Sequence, residues 1–213
     1  MTLVAIPLFD RFTALDAVGP YEVLQRIPSI DVVFVGQRRG EVRTENGMLG
    51  VACDATFDEV SAPDVVVVPG GIGTRRLIHD DVIRGWLRSV HPNTTFTTSV
   101  CTGALLLAAA GLLDGLTAAT HWRAADLLNE LGARYVPTRV VEHLPQRLVT
   151  AAGVSSGIDM ALRLVELLVD REAALAAQLL IEYDPRPPFD AGSLAKADEA
   201  TVERANEYLR ARQ

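Results

Sequence analysis

Short apolar runs alternate along this chain with longer stretches in which apolar and polar residues are mixed. The first run covers residues 3–8, and strongly β-branched runs such as "DVVFVG" and "DVVVVPGG" follow it. Apolar runs of four to eight residues that are rich in Val and bounded by Gly or Asp are typical of buried strands. The pattern predicts strands at residues 3–8, 31–36, 64–68, 94–100, 118–120, 139–141 and 147–151, with shorter β-like pieces within 41–57.

The intervening stretches carry the spacing of amphipathic helices. "HWRAADLLNEL", for example, repeats its apolar residues every three or four positions and stops at Gly132. Helices are predicted for a stretch with Pro20 in its first turn, for 74–86, for the apolar stretch that ends at 113, and for 121–131, 158–169, 171–183 and the tail from 198. Strands that alternate with helices predict an α/β sandwich with a mostly parallel sheet and helices on both faces. Such folds bind ligands at the carboxyl ends of their strands.

The chain has 213 residues, which is the size of a single domain. We therefore predict one domain over residues 1–213. The Pro-rich stretch at residues 184–190 is too short for a linker between two domains. Residues 184–213 are instead expected to form a C-terminal extension that packs on the body of the domain or on a second subunit.

Net charge, the N-terminal sequence and the number of cysteines indicate which partners and which compartment to expect. The formal net charge is −7 and no run of Lys or Arg is present, so neither nucleic acid nor a membrane surface is expected as a partner. The N-terminus lacks the features of a signal peptide, and the apolar stretches fall short of the ~20 residues that span a bilayer. Two cysteines do not make a disulfide framework, so a reducing, cytoplasmic location is expected.

Cys101 stands where a buried strand is predicted to turn sharply into an apolar helix, in "TTSVCTGALLL". Ser99 and Gly103 flank it at two residues' distance, which resembles the G-x-S-x-G elbow of α/β-hydrolases with Ser in place of the first Gly. Backbone N–H groups at the start of a helix stabilise a thiolate, and the pKa of such a cysteine can fall from ~8.5 to between ~3.5 and ~7.5. The alternative interpretation is a buried structural thiol, and we assign that role to Cys53, which lies in the predicted strand "VACDA".

Two further segments have the residues of a reactive site. Gly70 and Gly71, in "VPGGIG", follow a β-branched strand and could offer free N–H groups as an oxyanion hole, or could simply end the strand. Asp16, in "ALDAVGPYEVL", could cap a helix, or could face the thiol and exchange a proton with substrate. A neighbouring thiolate, being a like charge, is expected to raise the pKa of Asp16.

These three segments, in this order, resemble the ThiJ/PfpI superfamily, whose fold is flavodoxin-like, and within it the isocyanide hydratase branch. The likeness covers almost the whole chain. Aspartate in the early loop and threonine directly after the cysteine are typical of this branch. The matching stretches are "LDAVGPYEVL", "VPGGIG", "TSVCTGALLLAAAGLLDG", "ATHW", "GVSSGIDMAL" and "EYDPRPPFDAGS".

The resemblance implies a role for each matching residue. Cys101 corresponds to the nucleophile and Asp16 to its acidic partner. Thr102 corresponds to a residue whose hydroxyl and backbone lie beside the thiol, and Gly70 and Gly71 to the turn that supplies amides to the pocket. Members of the family are homodimers that act on a small molecule near the subunit boundary and need neither a metal nor an organic cofactor.

One departure bears on the reaction. The protease-like branch has His directly after the cysteine, whereas this chain has Thr102, so the Cys–His pair of peptide hydrolysis is missing in that form. His121 and Trp122, in "ATHW", are predicted to line the pocket, with His121 shaping it rather than acting as a base. The histidines show no metal-ligand spacing.

The resemblance thus implies hydration of an isocyanide to an N-formamide through a thioimidate on Cys101, with Asp16 moving the protons. Two alternatives remain at this point. A glyoxalase-type enzyme acting on small α-oxoaldehydes would use the same thiol, but normally with Glu and a nearby His. A ligand-binding or redox-sensing domain would oxidise Cys101 instead of turning over; regulators of the AraC type carry a similar domain, but no DNA-binding module is expected in this chain.

Overall fold

A central sheet is the frame of the protein, and the computed structural model describes it within residues 1–211. The sheet has seven strands in the order β10-β11-β7-β6-β1-β2-β5. All neighbours in it are parallel except β10, which runs antiparallel to β11. The strands of the described part are β1 (Thr2–Pro7), β2 (Ile30–Gly36), β3 (Gly40–Arg43), β4 (Gly50–Cys53), β5 (Ala55–Thr56), β6 (Val65–Val68), β7 (Phe96–Val100), β8 (Thr117–Ala118), β9 (Arg134–Tyr135), β10 (Val140–His143) and β11 (Leu148–Ala151).

The helices form two groups, and both pack against the central strands of the sheet. One group, α1, α6 and α7, packs together and reaches β6, β7 and β11, whereas α4 packs on β6 and β7 with α2, α3 and α5 around it. This arrangement confirms the predicted α/β sandwich with a mostly parallel sheet. The helices are α1 (Ala14–Leu24), α2 (Thr74–Leu77), α3 (Asp81–Val90), α4 (Gly103–Ala109), α5 (Ala125–Glu130), α6 (Ser156–Leu168), α7 (Arg171–Leu180) and α8 (Glu199–Arg210).

The two central strands of the sheet, β1 and β6, are buried on both faces. All four valines of β6 are fully buried, and so are Val4, Ala5 and Ile6 of β1. Strands covered on both faces must be apolar on both sides, which explains why these runs do not alternate. The loops that follow these two strands therefore start from fully buried positions.

Two predicted helices are interrupted in the structure. The predicted helix 74–86 is divided into α2 and α3, because the carboxylate of Asp80 accepts hydrogen bonds from the N–H groups of Val82 (2.8 Å) and Ile83 (3.3 Å) and starts a new helix there. The predicted helix 121–131 opens as a 3₁₀ turn over Trp122–Ala124 before α5 begins.

The first helix begins earlier than predicted. It starts at Ala14, so Asp16 lies in its first turn rather than in a loop, and Pro20 lies in its interior. Proline has no N–H, so the carbonyl of Asp16, four residues before it, receives no intrahelical hydrogen bond from that position.

A β-hairpin stands beside the sheet. Strands β3 and β4 pair antiparallel, with Val42 opposite Val51, and form a separate two-stranded sheet. Just beyond β3, Thr44 bridges to Phe12, so the hairpin is tied to the loop that precedes α1. This link brings residues of the hairpin close to the ends of the central strands.

The chain divides into two compact units. The first is Met1–Ile181 and contains both helix groups and the sheet; the second begins at Glu182. Within the second unit, Asp198 caps α8 by accepting a hydrogen bond from the N–H of Thr201 at 2.8 Å. The boundary lies close to residue 184, where the C-terminal extension was expected to begin, and how that extension packs stays a prediction. Among residues 1–211, no helix has both the length and the apolar character needed to cross a membrane.

We predict opposite effects on stability for two glycines in helices. A Cβ at Gly103 would lie 2.1 Å from the carbonyl oxygen of Val68, because α4 begins directly against the end of β6. Gly103→Ala is expected to lower the free energy of unfolding by ~2 kcal/mol or more. Gly85, inside α3, has no heavy atom within 4 Å of such a Cβ, so Gly85→Ala is expected to raise it by ~0.5–1 kcal/mol. Urea unfolding of both variants measures the contrast, and equal effects would contradict it.

Candidate active site

Cys101 lies at a sharp, strained turn between β7 and α4, as predicted. Its φ is 56°, a left-handed conformation that non-glycine residues rarely adopt. Its N–H donates to the carbonyls of Ala151 (3.1 Å) and Ala152 (2.9 Å), and its carbonyl accepts from the Thr120 hydroxyl at 2.9 Å. These bonds hold the strained backbone, which is common where a reactive residue must be presented in one orientation. The residue is only 4% exposed.

The thiol is not in the ionised state that the sequence led us to expect. Burial raises the pKa of Cys101 well above its ordinary value, and the nearby carboxyl of Asp16 raises it further. Backbone hydrogen bonds from Val154 and Thr102 act in the opposite direction, because N–H donors favour a negative sulfur. The expectation of a lowered pKa was therefore wrong for this pocket: burial outweighs the two amide donors.

Asp16 is fully buried beside the thiol. It lies on the third residue of α1, and its Oδ2 accepts a hydrogen bond from the N–H of Gly70 at 2.9 Å. It makes no cap bond in α1, so the helix-cap interpretation is wrong. Its other oxygen, Oδ1, has no hydrogen bond of normal geometry with the described residues, although the Cys101 side chain lies close enough to lower the pKa of the carboxyl.

The pKa of Asp16 is raised from 3.8 to about 7. The direction agrees with the expectation from sequence, but the cause does not. Burial is the largest cause, and the charge of Glu45 adds to it, whereas the hydrogen bonds from Gly70 and Cys101 lower the value. A carboxyl with a pKa near neutral can both give and accept a proton at the pH of a cell.

The glycine turn positions other groups instead of offering free amides. The N–H of Gly70 is used by Asp16, and the N–H of Gly71 donates to the Thr102 hydroxyl at 2.8 Å. That hydroxyl in turn donates to the carbonyl of Gly71 at 3.1 Å. A Cβ at Gly70 would lie 2.5 Å from the backbone nitrogen of Thr102 and 2.8 Å from Oδ2 of Asp16, so only glycine lets the two approach. The predicted oxyanion hole at Gly70 and Gly71 is thus corrected, since both N–H groups are already bonded.

Two residues that act on this pair were missed in the sequence. Glu45, on the hairpin, accepts a hydrogen bond from the N–H of Ile72 at 2.9 Å and adds negative charge near Asp16. Val154 supplies an N–H to the sulfur and has a φ of 42°, which is unusual for a β-branched residue. Neither has a local signal, because each comes near the site through pairing or packing of distant segments; the stretch "GVSSGIDMAL", which contains Val154, was noted only for its resemblance.

His121 and Trp122, which follow Thr120, form a stacked pair of rings, and their predicted place in the lining of the site stays a prediction. Their ring centroids are 5.5 Å apart, and Nδ1 of His121 accepts the N–H of Arg123 at 3.3 Å. Burial, the largest cause, and the positive charges of Arg123 and Arg75 together lower the pKa of His121 from 6.5 to about 4. The imidazole is therefore neutral at pH 7, with its remaining proton on Nε2.

The remaining candidate groups show ordinary surroundings. Cys53 is buried at the end of β4, and burial raises the pKa of its thiol to about 11, consistent with a structural role. Within residues 1–211, His, Cys, Asp and Glu form no group of three that could hold a metal ion. The chemistry of the site therefore centres on one buried thiol and one buried carboxyl, with two backbone N–H groups directed at the sulfur.

Comparison with known proteins gives three findings. The model of the DJ-1/PfpI family matches residues 2–167. Isonitrile hydratase of Pseudomonas putida is 42% identical over 198 residues, which cover 93% of this chain and 86% of that protein. A crystal structure of a ThiJ/PfpI family protein from Pseudomonas syringae matches with a TM-score of 0.91 and 34% identity, over 99% of this chain and 86% of that one.

Regulatory proteins share only part of this likeness. The HTH-type transcriptional regulator CdhR of Pseudomonas aeruginosa is 31% identical over 163 residues, which cover 75% of this chain but 48% of the regulator. The likeness to the hydratase therefore extends over more of both proteins.

We predict a pH-dependent stabilisation by Asp16→Asn. The folded protein binds the Asp16 proton more tightly than the unfolded chain, so wild-type stability falls as the pH rises from about 4 to about 7. A shift of this size corresponds to ~4 kcal/mol at most. The variant has no charge to bury, so its advantage in unfolding free energy over the wild type should grow across this range and then level off.

Urea titrations at pH 4, 5.5, 7 and 8 measure that advantage. Asp126→Asn, a change to an exposed carboxyl of α5, controls for the loss of one negative charge. An advantage of Asp16→Asn that stays constant from pH 4 to pH 8 would contradict the raised pKa.

Proposed function

Because this chain belongs to the DJ-1/PfpI family, we propose that it hydrates an isocyanide to an N-formamide, with Cys101 as the nucleophile and Asp16 as the group that moves protons. The observation that carries the proposal is the buried thiol–carboxyl pair at the strained turn. The 42% identity to the Pseudomonas putida isonitrile hydratase supports the substrate class.

The first half of the reaction uses one proton that moves from sulfur to carbon. Ionised Asp16 removes the proton of the Cys101 thiol as the sulfur attacks the terminal carbon of R–N≡C. Asp16 then delivers this proton to the same carbon, giving the thioimidate R–N=CH–S–Cys101. A raised pKa supports this role, because the carboxyl then binds and releases the proton with little cost near neutral pH.

The second half adds water and restores the thiol. Asp16 takes a proton from a water molecule as the oxygen attacks the thioimidate carbon, and it passes this proton to the nitrogen, giving R–NH–CH(OH)–S–Cys101. The carbon–sulfur bond then breaks as Asp16 takes the hydroxyl proton, which releases R–NH–CHO, and Asp16 returns that proton to the sulfur. The N–H groups of Thr102 and Val154 favour negative charge on the departing sulfur.

The burial of the thiol and the carboxyl supports a narrow reacting group. Cys101 is 4% exposed and Asp16 is fully buried, so little room remains around the sulfur. An isocyanide presents a linear group with one terminal carbon, which fits such a site. Thr102, and not a histidine, follows the cysteine. His121 is neutral, its Nδ1 accepts the N–H of Arg123, and its ring stacks on Trp122. A glyoxalase-type mechanism that relies on a neighbouring His base therefore has less support.

We also propose that the protein works as a homodimer in the cytoplasm. Helix α7 leaves three leucines in water, with exposures of 53% at Leu175, 77% at Leu179 and 64% at Leu180. Exposed apolar side chains that are grouped on one helix are typical of subunit interfaces. A second copy of this chain would cover them.

Replacement of either member of the pair is expected to impair turnover, and replacement of Cys101 to abolish it. With an aryl isocyanide such as phenyl isocyanide, Cys101→Ala should form no N-formamide, because no sulfur can attack the carbon. Asp16→Asn should lower kcat by ~100-fold or more, because proton transfer is lost. Product formation is followed by liquid chromatography, and acid-quenched wild type should show a protein mass increased by that of the isocyanide.

Cys53→Ala is the matched control, since it removes a thiol outside the site. Turnover by Cys101→Ala would refute covalent catalysis. Conversion of methylglyoxal and water to lactate, without isocyanide turnover, would support the glyoxalase alternative. Stoichiometric oxidation of Cys101 with neither activity would support a sensor.

We predict that Leu179→Lys turns the dimer into a monomer, because a charged side chain would have to be buried at the interface. Light scattering after size-exclusion chromatography measures the mass. Val82→Lys, an equal change at a residue of α3 with 47% exposure, should leave the dimer intact. A monomeric wild type would refute the homodimer, and a dimeric Leu179→Lys would exclude this face of α7.

A further inference from the structure

Consecutive N–H groups of the glycine turn bind side chains from separate segments of the chain. The N–H of Gly70 donates to Oδ2 of Asp16 at 2.9 Å, and the N–H of Gly71 donates to the Thr102 hydroxyl at 2.8 Å. Within residues 1–211, Oδ1 of Asp16 has no hydrogen bond of normal geometry, so the N–H of Gly70 is the donor that orients this carboxyl. The position of the turn therefore determines how Asp16 faces Cys101.

The next N–H of the turn binds a side chain that comes from the hairpin. Ile72 donates its N–H to Oε1 of Glu45 at 2.9 Å. Glu45 follows the end of β3 by two residues, and its own N–H donates to the carbonyl of Phe12 at 3.1 Å. Because Phe12 is fully buried, the backbone of Glu45 is fixed to the core, while its exposed side chain reaches the turn.

The tip of the hairpin is a hydrogen-bonded turn on both sides of Glu45. The N–H of Thr44 donates to the carbonyl of Leu49 at 3.0 Å, and the N–H of Gly47 donates to the carbonyl of Thr44 at 2.8 Å. The side-chain oxygen of Asn46 accepts the N–H of Met48 at 3.1 Å. The backbone that carries the glutamate is thus already ordered, so its bond to the glycine turn costs little further conformational entropy.

The bond between Glu45 and Ile72 has a charged acceptor. A carboxylate that accepts an N–H forms a shorter and stronger hydrogen bond than a neutral acceptor does. We propose that Glu45 is a positioning residue of the reaction, because its bond to Ile72 holds the glycine turn where Gly70 can bind Asp16. This inference rests on the proposed function. Glu45 acts on proton transfer through the turn and does not itself exchange a proton with the substrate.

Two substitutions separate the hydrogen bond from the charge. Glu45→Gln keeps an oxygen that can accept the N–H of Ile72, whereas Glu45→Ala keeps no acceptor. Turnover of phenyl isocyanide is measured at pH 8.5, above the pKa of about 7 of Asp16, so that the carboxyl is ionised in every variant. Glu45→Ala should lower kcat by ~10-fold, because a misplaced carboxyl transfers protons poorly.

The conservative variant should restore the rate. Glu45→Gln is expected to keep kcat within ~3-fold of wild type, and KM should change by less than ~3-fold in both variants, since proton transfer rather than binding is impaired. Glu130→Gln, a change at an exposed glutamate of α5, controls for the loss of one charge and should leave kcat unchanged. An unchanged kcat in Glu45→Ala, or a loss that Glu45→Gln shares in full, would overturn the inference.

A double-mutant cycle tests whether the effect passes through Asp16. In the Asp16→Asn background, Glu45→Ala should lower the remaining kcat by less than ~2-fold, because the carboxyl that it positions is already gone. A full ~10-fold loss in that background would show that Glu45 acts by another route, and would overturn the inference while the hydratase function stands.

Hydrogen exchange tests the positioning without any substrate. The amide protons of Gly70 and Gly71 are followed by NMR in deuterated buffer, and the amide of Leu87 in the buried face of α3 reports on global unfolding. In Glu45→Ala both glycine amides should exchange at least ~10-fold faster than in wild type, with Leu87 unchanged. Glu45→Gln and Glu130→Gln should match wild type.

The exchange result separates this inference from the proposed function. If no isocyanide is hydrated, the proposed function fails, and faster exchange confined to the glycine turn would still support the positioning by Glu45. Unchanged exchange at Gly70 and Gly71 in Glu45→Ala would overturn the positioning even if the wild type hydrates isocyanides. Exchange that accelerates equally at Leu87 would also overturn it, because the effect would then be a general loss of stability.

Discussion

A left-handed turn at the end of a buried strand is the constraint on which the site depends. Cys101 adopts a φ of 56°, and hydrogen bonds from its backbone to Ala151, Ala152 and Thr120 hold it there. The strain is offset by the packing of the sheet, whose central strands are dry on both faces. Gly103 lets the next helix start against the end of β6. The direction of the sulfur is thereby set by the fold rather than by the loop alone.

Burial determines the protonation of Cys101 and Asp16. It raises the pKa of Cys101, whereas a cysteine at the start of a helix is expected to have a lowered pKa. In water-exposed elbows the amides lower the pKa of the thiol. Here the loss of water outweighs them, so both Cys101 and Asp16 hold their protons more tightly than usual. The carboxyl that results has a pKa of about 7, close to the value that proton transfer in both directions requires. Stability is lost when this carboxyl ionises, and the function we propose uses that same ionisation.

Charged side chains shift the pKa values of Asp16 and His121 in opposite directions. Glu45 stands near Asp16, where it favours the protonated carboxyl, and it is held there by the N–H of Ile72. Burial, together with the positive charges of Arg123 and Arg75, lowers the pKa of His121 and keeps its imidazole neutral.

The sequence by itself determined the strands of the central sheet, the elbow at Cys101 and the family, because period, turn residues and short motifs are local signals; β9 was not predicted. The sequence also predicted that the pKa of Asp16 is raised, but for the wrong cause. It predicted free N–H groups at Gly70 and Gly71, and both are hydrogen-bonded. Only the tertiary structure decided these points. Burial is a property of the packed chain, and the partner of a hydrogen bond depends on which distant group the fold places within reach. Glu45 and Val154 reach the site through the hairpin and the segment before α6, and no pattern along the chain reports that distance.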